Sequence, residues 1–140
     1  MCILQSLEVR SANDFDIALE AALRERAQAL LPSPEPLINT QLKRIVKFAA
    51  KNRLPAKYGG PEVVDAGGLM YYAPDYTDQY RRAAVYAAVF IDIILRVSKP
   101  ADLPVEQPTK FEFVINLRAA KQIGLTIPPN VLARADRVIR

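Results

Sequence analysis

The sequence has 140 residues, of which 51% are hydrophobic and 24% are charged, and its formal net charge is +4. This length fits one domain with a single core, and so much apolar material argues against intrinsic disorder. The chain contains no histidine and one cysteine, Cys2, so it lacks the commonest general base and cannot form an internal disulfide. Composition therefore favours a globular domain and gives no sign of an enzyme, a metal site or a bound cofactor.

The amino terminus lacks the basic start, long apolar run and small-residue cleavage site of a secretory signal peptide. From the sequence as written we therefore expect a cytoplasmic chain. The most apolar stretch, residues 83–95, is interrupted by Asp92 and is shorter than the roughly 18–20 residues of a membrane span. We expect it to form a helix that is buried on more than one side.

Strands and helices are predicted to alternate through the first two thirds of the chain. Strands are expected at residues 3–9, 27–31, 54–61 and 69–73, and helices at residues 14–26, 37–52, 62–66 and 76–97. This alternation predicts a parallel sheet with helices on both faces.

The last third of the chain departs from this alternation. Residues 99–104 are predicted to form a connector, and residues 105–108 and 111–117 are predicted to be extended. Residues 118–123 are predicted to form a short helix that ends at Gly124. Pro128 and Pro129 then favour the start of a last helix. Its predicted buried side carries Val131, Leu132, Ala135, Val138 and Ile139.

Paired glycines and tyrosines lie where the predicted strands end. Open α/β sheets bind ligands at the carboxyl ends of their strands, so Gly59-Gly60 and Gly67-Gly68 either let a ligand approach the backbone or form turns that need positive φ. Four tyrosines near these ends either stack on a ligand or are partly buried in the sheet, with equal weight for both interpretations. They are Tyr58, Tyr71, Tyr72 and Tyr76.

Charged residues in this sequence do not predict catalysis or nucleic-acid binding. Glu35, Glu62 and Asp75 lie on three separate loops, which favours ligand contacts or solvated charges over a catalytic pair. The basic residues near one predicted helix form a normal solvent-facing side and not a nucleic-acid stripe. They are Lys43, Arg44, Lys47, Lys51 and Arg53.

Several segments together resemble the ABC-transporter substrate-binding proteins related to tryptophan- and other amino-acid-binding proteins. Residues 103–112 (LPVEQPTKFE), 114–117 (VINL) and 124–129 (GLTIPP) are similar to the terminal signature of that family. Residues 52–56 (NRLPA) and 65–70 (DAGGLM) also fit. The resemblance covers essentially the whole chain, from Gln5 to Ile139.

The resemblance implies an α/β fold, namely the parallel-sheet, three-layer carboxy-terminal lobe of a type I periplasmic-binding protein. It would consist of an α/β lobe at residues 1–103, followed in the same domain by crossover strands and carboxy-terminal helices at residues 104–140. Family members are periplasmic and close like a hinge on a small solute. The expected ligand-binding residues on this lobe are Ser33, Pro34, Glu35, Tyr58, Gly59, Gly60, Glu62, Tyr72 and Asp75.

The resemblance further implies the solute-binding component of an ABC-type importer, with a small solute such as an amino acid and an ABC permease as partners. Because the expected chain is one lobe, we predict that it is truncated and binds solute weakly or not at all alone. An exposed crossover surface would favour homo-oligomers. The alternative is a standalone cytoplasmic sensory or interaction domain with the same fold.

Overall fold

A computed structural model of the protein describes residues 3–96 and 107–140. The helices are α1 (Asp14–Arg24), α2 (Pro36–Thr40), α3 (Leu42–Lys51), α4 (Glu62–Asp65), α5 (Tyr76–Arg96), α6 (Leu117–Gln122) and α7 (Pro129–Leu132). The strands are β1 (Lys57–Tyr58), β2 (Met70–Pro74), β3 (Phe111–Asn116) and β4 (Arg137–Ile139). The predicted connector at residues 99–104 and residues 105 and 106 lie outside the described residues.

The four strands form one sheet in the order β1-β2-β3-β4. β1 is parallel to β2, and β3 is parallel to β4. Leu30 extends the sheet beyond β1 through a parallel bridge to Ala56. The predicted α/β fold class with a largely parallel sheet is therefore confirmed.

The central pair, β2 and β3, runs antiparallel. The backbone N–H of Asn116 donates to the carbonyl oxygen of Leu69 at 2.9 Å, and that of Asp75 donates to the carbonyl oxygen of Lys110 at 3.0 Å. From the first bond to the second, the residue number increases on the β2 side and decreases on the β3 side. This is the register of an antiparallel pair. After β2, the chain therefore returns in the opposite direction along β3, the adjacent strand of the sheet.

Two predicted elements near the amino terminus differ from the structure. Residues 3–9 do not form the predicted strand. The side chains of Ile3 and Leu4 are 79% and 85% exposed, which shows that this segment does not pack into the sheet. The single helix predicted at residues 37–52 is divided at Gln41, whose φ of −106° and ψ of 8° are not helical. The Thr40 hydroxyl donates to the carbonyl oxygen of Leu37 at 2.7 Å, a local bond that favours ending α2 there.

The predicted last helix is wrong in its second half, because residues 137–139 form β4. The backbone N–H of Asp136 donates to the carbonyl oxygen of Phe113 at 2.8 Å, and the Asp136 carboxylate accepts the N–H of Phe113 at 2.7 Å. These two bonds fix the chain beside β3. Val138 and Ile139 are thereby half-buried on a strand.

The chain divides into two compact units. Unit 1 comprises Met1–Tyr72 and Phe113–Arg140, and unit 2 comprises Ala73–Glu112. The core of unit 1 joins α1, α3, β1 and α4, and a second cluster lies around Leu69, Ala119 and Ala120. In β3, Val114 and Ile115 are completely buried. The seven buried residues of the first cluster are Phe15, Ile45, Val46, Ala49, Ala56, Tyr58 and Val63.

Unit 2 consists mainly of α5. The predicted helix is present, but the prediction that it is buried on more than one side is wrong for its described side chains. Val85, Val89 and Ile91 are 61%, 45% and 59% exposed. Across the described residues, helices capable of spanning a membrane by length and hydropathy are absent.

Candidate functional site

The carboxyl ends of three parallel segments meet at one edge of the sheet in unit 1. Leu30, β1 and β2 run parallel to one another, so the residues that follow them lie along the same edge. We call this the candidate edge. It comprises Ser33, Pro34, Glu35, Gly59, Gly60, Glu62 and Tyr72.

The first two loops of the candidate edge lie against each other at Pro34 and Gly59. A Cβ atom added at Gly59 would lie 3.0 Å from the Cβ of Pro34, which is tighter than an ordinary contact. A side chain at Gly59 would crowd Pro34 of the neighbouring loop, so one of the two loops would have to move by a few tenths of an ångström. Ser33 and Glu35, on either side of Pro34, are exposed.

The two acidic residues of the candidate edge are held differently. Glu35 has extended backbone before Pro36, the first residue of α2, and its side chain makes no capping hydrogen bond. Glu62 lies in the first turn of α4, and its carboxylate covers Gly60 so closely that a Cβ there would overlap it. Both side chains are exposed, so each can meet a ligand from solvent.

The four tyrosines divide into buried and exposed pairs. Tyr58 and Tyr71 are each 1% exposed, and burial raises the pKa of Tyr58 to about 12. Tyr72 and Tyr76 are 47% and 42% exposed. Neighbouring residues of a strand face opposite sides of the sheet, so Tyr71 enters the core while Tyr72 faces outward.

Tyr72 has an aromatic neighbour that the sequence did not single out. The rings of Tyr72 and Phe113 meet edge to face, with centroids 5.9 Å apart and planes at 89°. Such a pair holds the Tyr72 ring upright at the sheet surface. Its phenol is therefore the exposed aromatic group of the candidate edge in unit 1.

Asp75 belongs to unit 2, where its carboxylate has two partners. The Nζ atom of Lys110 lies 2.8 Å from it, and the backbone N–H of Asp78 donates to it at 3.0 Å, which caps the start of α5. The hydrogen bond from Lys110, followed by that from Asp78, lowers the pKa of Asp75. The hydrogen bond with the carboxylate of Asp75 in turn raises the pKa of Lys110.

The structure thus brings six of the nine predicted residues to two adjoining loops of unit 1, with Tyr58 turned into the core. Tyr72 lies on the neighbouring strand, and Asp75 lies in unit 2. The described side chains include no group of three that could hold a metal ion. Lys110 and Phe113 were missed because only the antiparallel register of β2 and β3 brings them beside Asp75 and Tyr72.

One open hollow in unit 1 lies away from the candidate edge. It has a volume of about 380 Å³ and lies near the amino end of β2 and at the carboxyl ends of β3 and β4, beside Asp65, Gly67 and Asn116. The buried Asn116 amide is satisfied there, since it donates to the carbonyl oxygen of Val64 at 3.1 Å and accepts the N–H of Ala119 at 3.1 Å. Those bonds make Asn116 the cap of α6.

This mixed α/β lobe, with loops gathered at the carboxyl ends of its strands, has the architecture of a periplasmic-binding domain. The sequence model described as "ABC transporter substrate binding protein" matches residues 2–139. The chain belongs to this family, which is a family of substrate-binding proteins and not a class of enzymes. A comparison with curated proteins gave no match.

Solved structures support the same family. A conserved domain protein from Vibrio cholerae O1 biovar El Tor superposes with a TM-score of 0.74 at 26% identity. The ABC domain from Streptococcus pneumonia, solved in complex with L-Trp, gives a TM-score of 0.73 at 26% identity. A ligand-free, open substrate-binding protein with adhesive properties from Clostridium difficile, at 18% identity and a TM-score of 0.62, is similar in fold.

This chain spans less than half the length of those proteins. The matches cover 91%, 96% and 94% of this chain, but 42%, 45% and 42% of the Vibrio, Streptococcus and Clostridium chains. The similarity is therefore to one part of each longer protein.

Proposed function

We propose that this chain is the carboxy-terminal, solute-binding lobe of an ABC-type importer, and that the candidate edge forms one wall of its ligand cleft. The observation that carries the proposal is the contact of Pro34 with Gly59, which fixes two loops side by side. The exposed Glu35, Glu62 and Tyr72 extend from that edge. In this role the protein acts in the periplasm and passes its solute to an ABC permease.

The chemistry of the candidate edge suits a small zwitterion with an apolar or planar side chain. The carboxylates of Glu35 and Glu62 attract an ammonium group, and the Tyr72 ring offers a stacking surface. L-Trp bound to the Streptococcus relative is a molecule of this kind. We therefore propose an amino acid as the solute class.

We infer that the chain alone binds such a solute weakly. Two lobes normally close on the ligand and bury it, whereas a single wall leaves one side of the ligand in water. The relatives' additional length, more than half of each chain, is consistent with a second wall. A Kd on the order of 1 mM, equivalent to about −4 kcal/mol, is the expected range.

An NMR titration of the ¹⁵N-labelled chain with L-Trp tests the proposal. We expect shifts at Ser33, Gly59, Gly60 and Tyr72, with fast exchange and a millimolar Kd. Glu62→Gln should weaken binding several-fold, whereas Glu20→Gln, an equivalent change at an exposed acid of α1, should leave it unchanged. Shifts confined to the hollow beside Asn116, or tight binding by the single lobe, would refute the proposal.

A second function, an interaction domain that uses the same fold, is favoured by one observation. Val85, Val89 and Ile91 leave apolar surface on α5 open to solvent. Such a surface suits a protein partner more than a transported solute. A chain that shows no amino-acid binding but retains a partner through α5 would support this second function.

A further inference from the structure

Tyr72 on β2 and Phe113 on β3 lie directly opposite each other in the sheet. The backbone hydrogen bonds at the two ends of this strand pair lie three residues before and three residues after them on each strand. Hydrogen-bonded and non-hydrogen-bonded pairs alternate along an antiparallel ladder, so Tyr72 and Phe113 form a non-hydrogen-bonded pair. The side chains of such a pair are the closest in the ladder, which agrees with the contact between the two rings.

The backbone of Phe113 is held from its other side by Asp136. In a non-hydrogen-bonded pair the N–H and carbonyl groups point away from the partner strand, which for Phe113 is toward β4. Both groups bind Asp136 there. The Asp136 carboxylate accepts the N–H of Phe113 at 2.7 Å, and the N–H of Asp136 donates to the carbonyl oxygen of Phe113 at 2.8 Å. Phe113 is thus fixed through its backbone on one side and contacts Tyr72 with its ring on the other.

The two rings differ in exposure. Phe113 is half-buried, whereas Tyr72 is 47% exposed, so Phe113 is the support and Tyr72 is the group that meets solvent. With the ring planes at 89°, the Phe113 ring covers at most one of the two faces of the Tyr72 ring. The pair therefore orients Tyr72 without enclosing it.

We propose that Phe113 is a positioning residue for the solute, which acts by fixing the orientation of the Tyr72 ring, and that Asp136 fixes Phe113 in turn. This inference rests on the proposed function of the candidate edge. A ring that is already ordered loses little side-chain freedom when a ligand stacks on it, and this favours binding. A planar solute side chain gains from that preordered face, whereas an aliphatic side chain has no face to align with it. Phe113 thus determines how strongly the candidate edge prefers planar to aliphatic amino acids.

The preference is measured as the ratio of the Kd for L-Leu to the Kd for L-Trp, which we call the selectivity ratio. NMR titration of the ¹⁵N-labelled wild-type chain should give a selectivity ratio of several-fold. Phe113→Leu should raise the Kd for L-Trp by about two- to ten-fold, the range that an aromatic pair is worth, and leave that for L-Leu unchanged. A general loss of packing would instead weaken the binding of both amino acids, and that result would overturn the proposal.

Two control variants separate the ring of Phe113 from its bulk. Phe113→Tyr retains an aromatic ring and should retain the selectivity ratio. Phe48→Leu makes the equivalent change at a half-buried phenylalanine of α3 and should also leave the ratio unchanged. A ratio that falls equally in Phe48→Leu and Phe113→Leu would contradict a specific role for Phe113.

A double substitution tests whether Phe113 acts through Tyr72. Tyr72→Leu should lower the selectivity ratio by itself, and the addition of Phe113→Leu should not lower it further. A further decrease would show that Phe113 acts by another route. In the ligand-free chain, Phe113→Leu should also remove the ring-current shifts of the Tyr72 ring protons, and unchanged shifts would contradict the pairing.

Asp136→Ala tests the second step and leaves both rings in the chain. The amide of Phe113 should exchange its proton faster, because its hydrogen bond to the carboxylate is lost. The selectivity ratio should fall part of the way toward that of Phe113→Leu. Faster exchange with an unchanged ratio would exclude Asp136 from positioning the solute. This variant also tests the pairing if Phe113→Leu fails to fold, which amide spectra reveal.

Failure of this inference is distinguishable from failure of the proposed function. If L-Trp shifts no amide of the candidate edge in the wild-type chain, the proposed function is wrong and this inference is wrong with it. If the wild-type chain binds L-Trp at the candidate edge and Phe113→Leu has the same selectivity ratio, only the role of Phe113 is wrong.

Discussion

The ammonium group of Lys110 lies 2.8 Å from the carboxylate of Asp75, and the backbone N–H of Asp75 donates back to the carbonyl oxygen of Lys110 at 3.0 Å. Two bonds thus join the same two residues, one between side chains and one between backbones. Because Asp75 also caps α5 through Asp78, this pair fixes the beginning of the helix to the beginning of β3.

We expect the Asp75–Lys110 pair to define a pH window. The lowered pKa of Asp75 means that its contribution to stability is complete above the ordinary value of 3.8 and is lost as the pH falls through the lowered pKa. The raised pKa of Lys110 means that its contribution is complete below 10.5 and is lost as the pH rises through the raised pKa.

Lys110→Met tests this window. Without the ammonium group, the pKa of Asp75 should rise toward its ordinary value, and the start of α5 should fray at a higher pH during acid titration. Carboxyl ¹³C shifts give the pKa directly, and Lys121→Met, a change at another exposed lysine, is the matched control. An unchanged Asp75 pKa would mean that the backbone bond from Asp78 is sufficient.

Tyr58 should give a late step in the alkaline titration of the chain. Its folded pKa of about 12 exceeds the ordinary 10.0, so the buried phenol favours the folded chain below pH 10.0 and loses this contribution as the pH rises toward 12. Absorbance at alkaline pH should show a late step that Tyr58→Phe removes. Tyr80→Phe, at an exposed site, should leave this late step in place.

Ile115→Ala should destabilise the chain more than most single substitutions. The side chain is completely buried in β3, and loss of such a group typically costs about 2–5 kcal/mol through lost transfer energy and the cavity that remains. Urea denaturation measures the change. Ile17→Ala, where the side chain is 71% exposed, should stay within about 0.5 kcal/mol of wild type. Equal effects at the two positions would count against this packing.

Gly59→Ala should displace the loop that carries Ser33 and Glu35. The added Cβ would lie 3.0 Å from the Cβ of Pro34, so one loop must move by a few tenths of an ångström. Amide shifts of Ser33 and Glu35 should change, and the weak solute binding should fall. In a Pro34→Gly background the same substitution should have a smaller effect, since the crowding atom is gone. Identical effects in both backgrounds would contradict the contact.

The local pattern of apolar and polar residues was sufficient to predict those strands and helices whose own residues determine their structure. β2 and β3 were predicted because an extended apolar stretch can be recognised by itself. β4 was not, because residues 137–139 extend only where the two bonds between Asp136 and Phe113 hold them. Helical spacing located α5 but not its exposure, since periodicity identifies an apolar face and not the group that covers it.

The candidate edge was predictable from where strands end, but the roles within it were not. Tyr58 and Tyr72 follow similar sequence patterns, and the pleat of each strand determines which ring enters the core. Lys110 lies far from Asp75 in sequence, and no local signal relates the two. Their pairing depends on the register of two strands that are separated in sequence by residues 75–110.

The antiparallel pairing of β2 with β3 also bears on how the chain folds. These strands can join only after residues 75–110 have closed as a loop between them, and closure entropy increases with the length of such a loop. The parallel contact of β1 with β2 encloses a much shorter segment and should form earlier. The slow, late step of folding is therefore expected to be the arrival of β3, which brings the fully buried Val114 and Ile115 into the sheet.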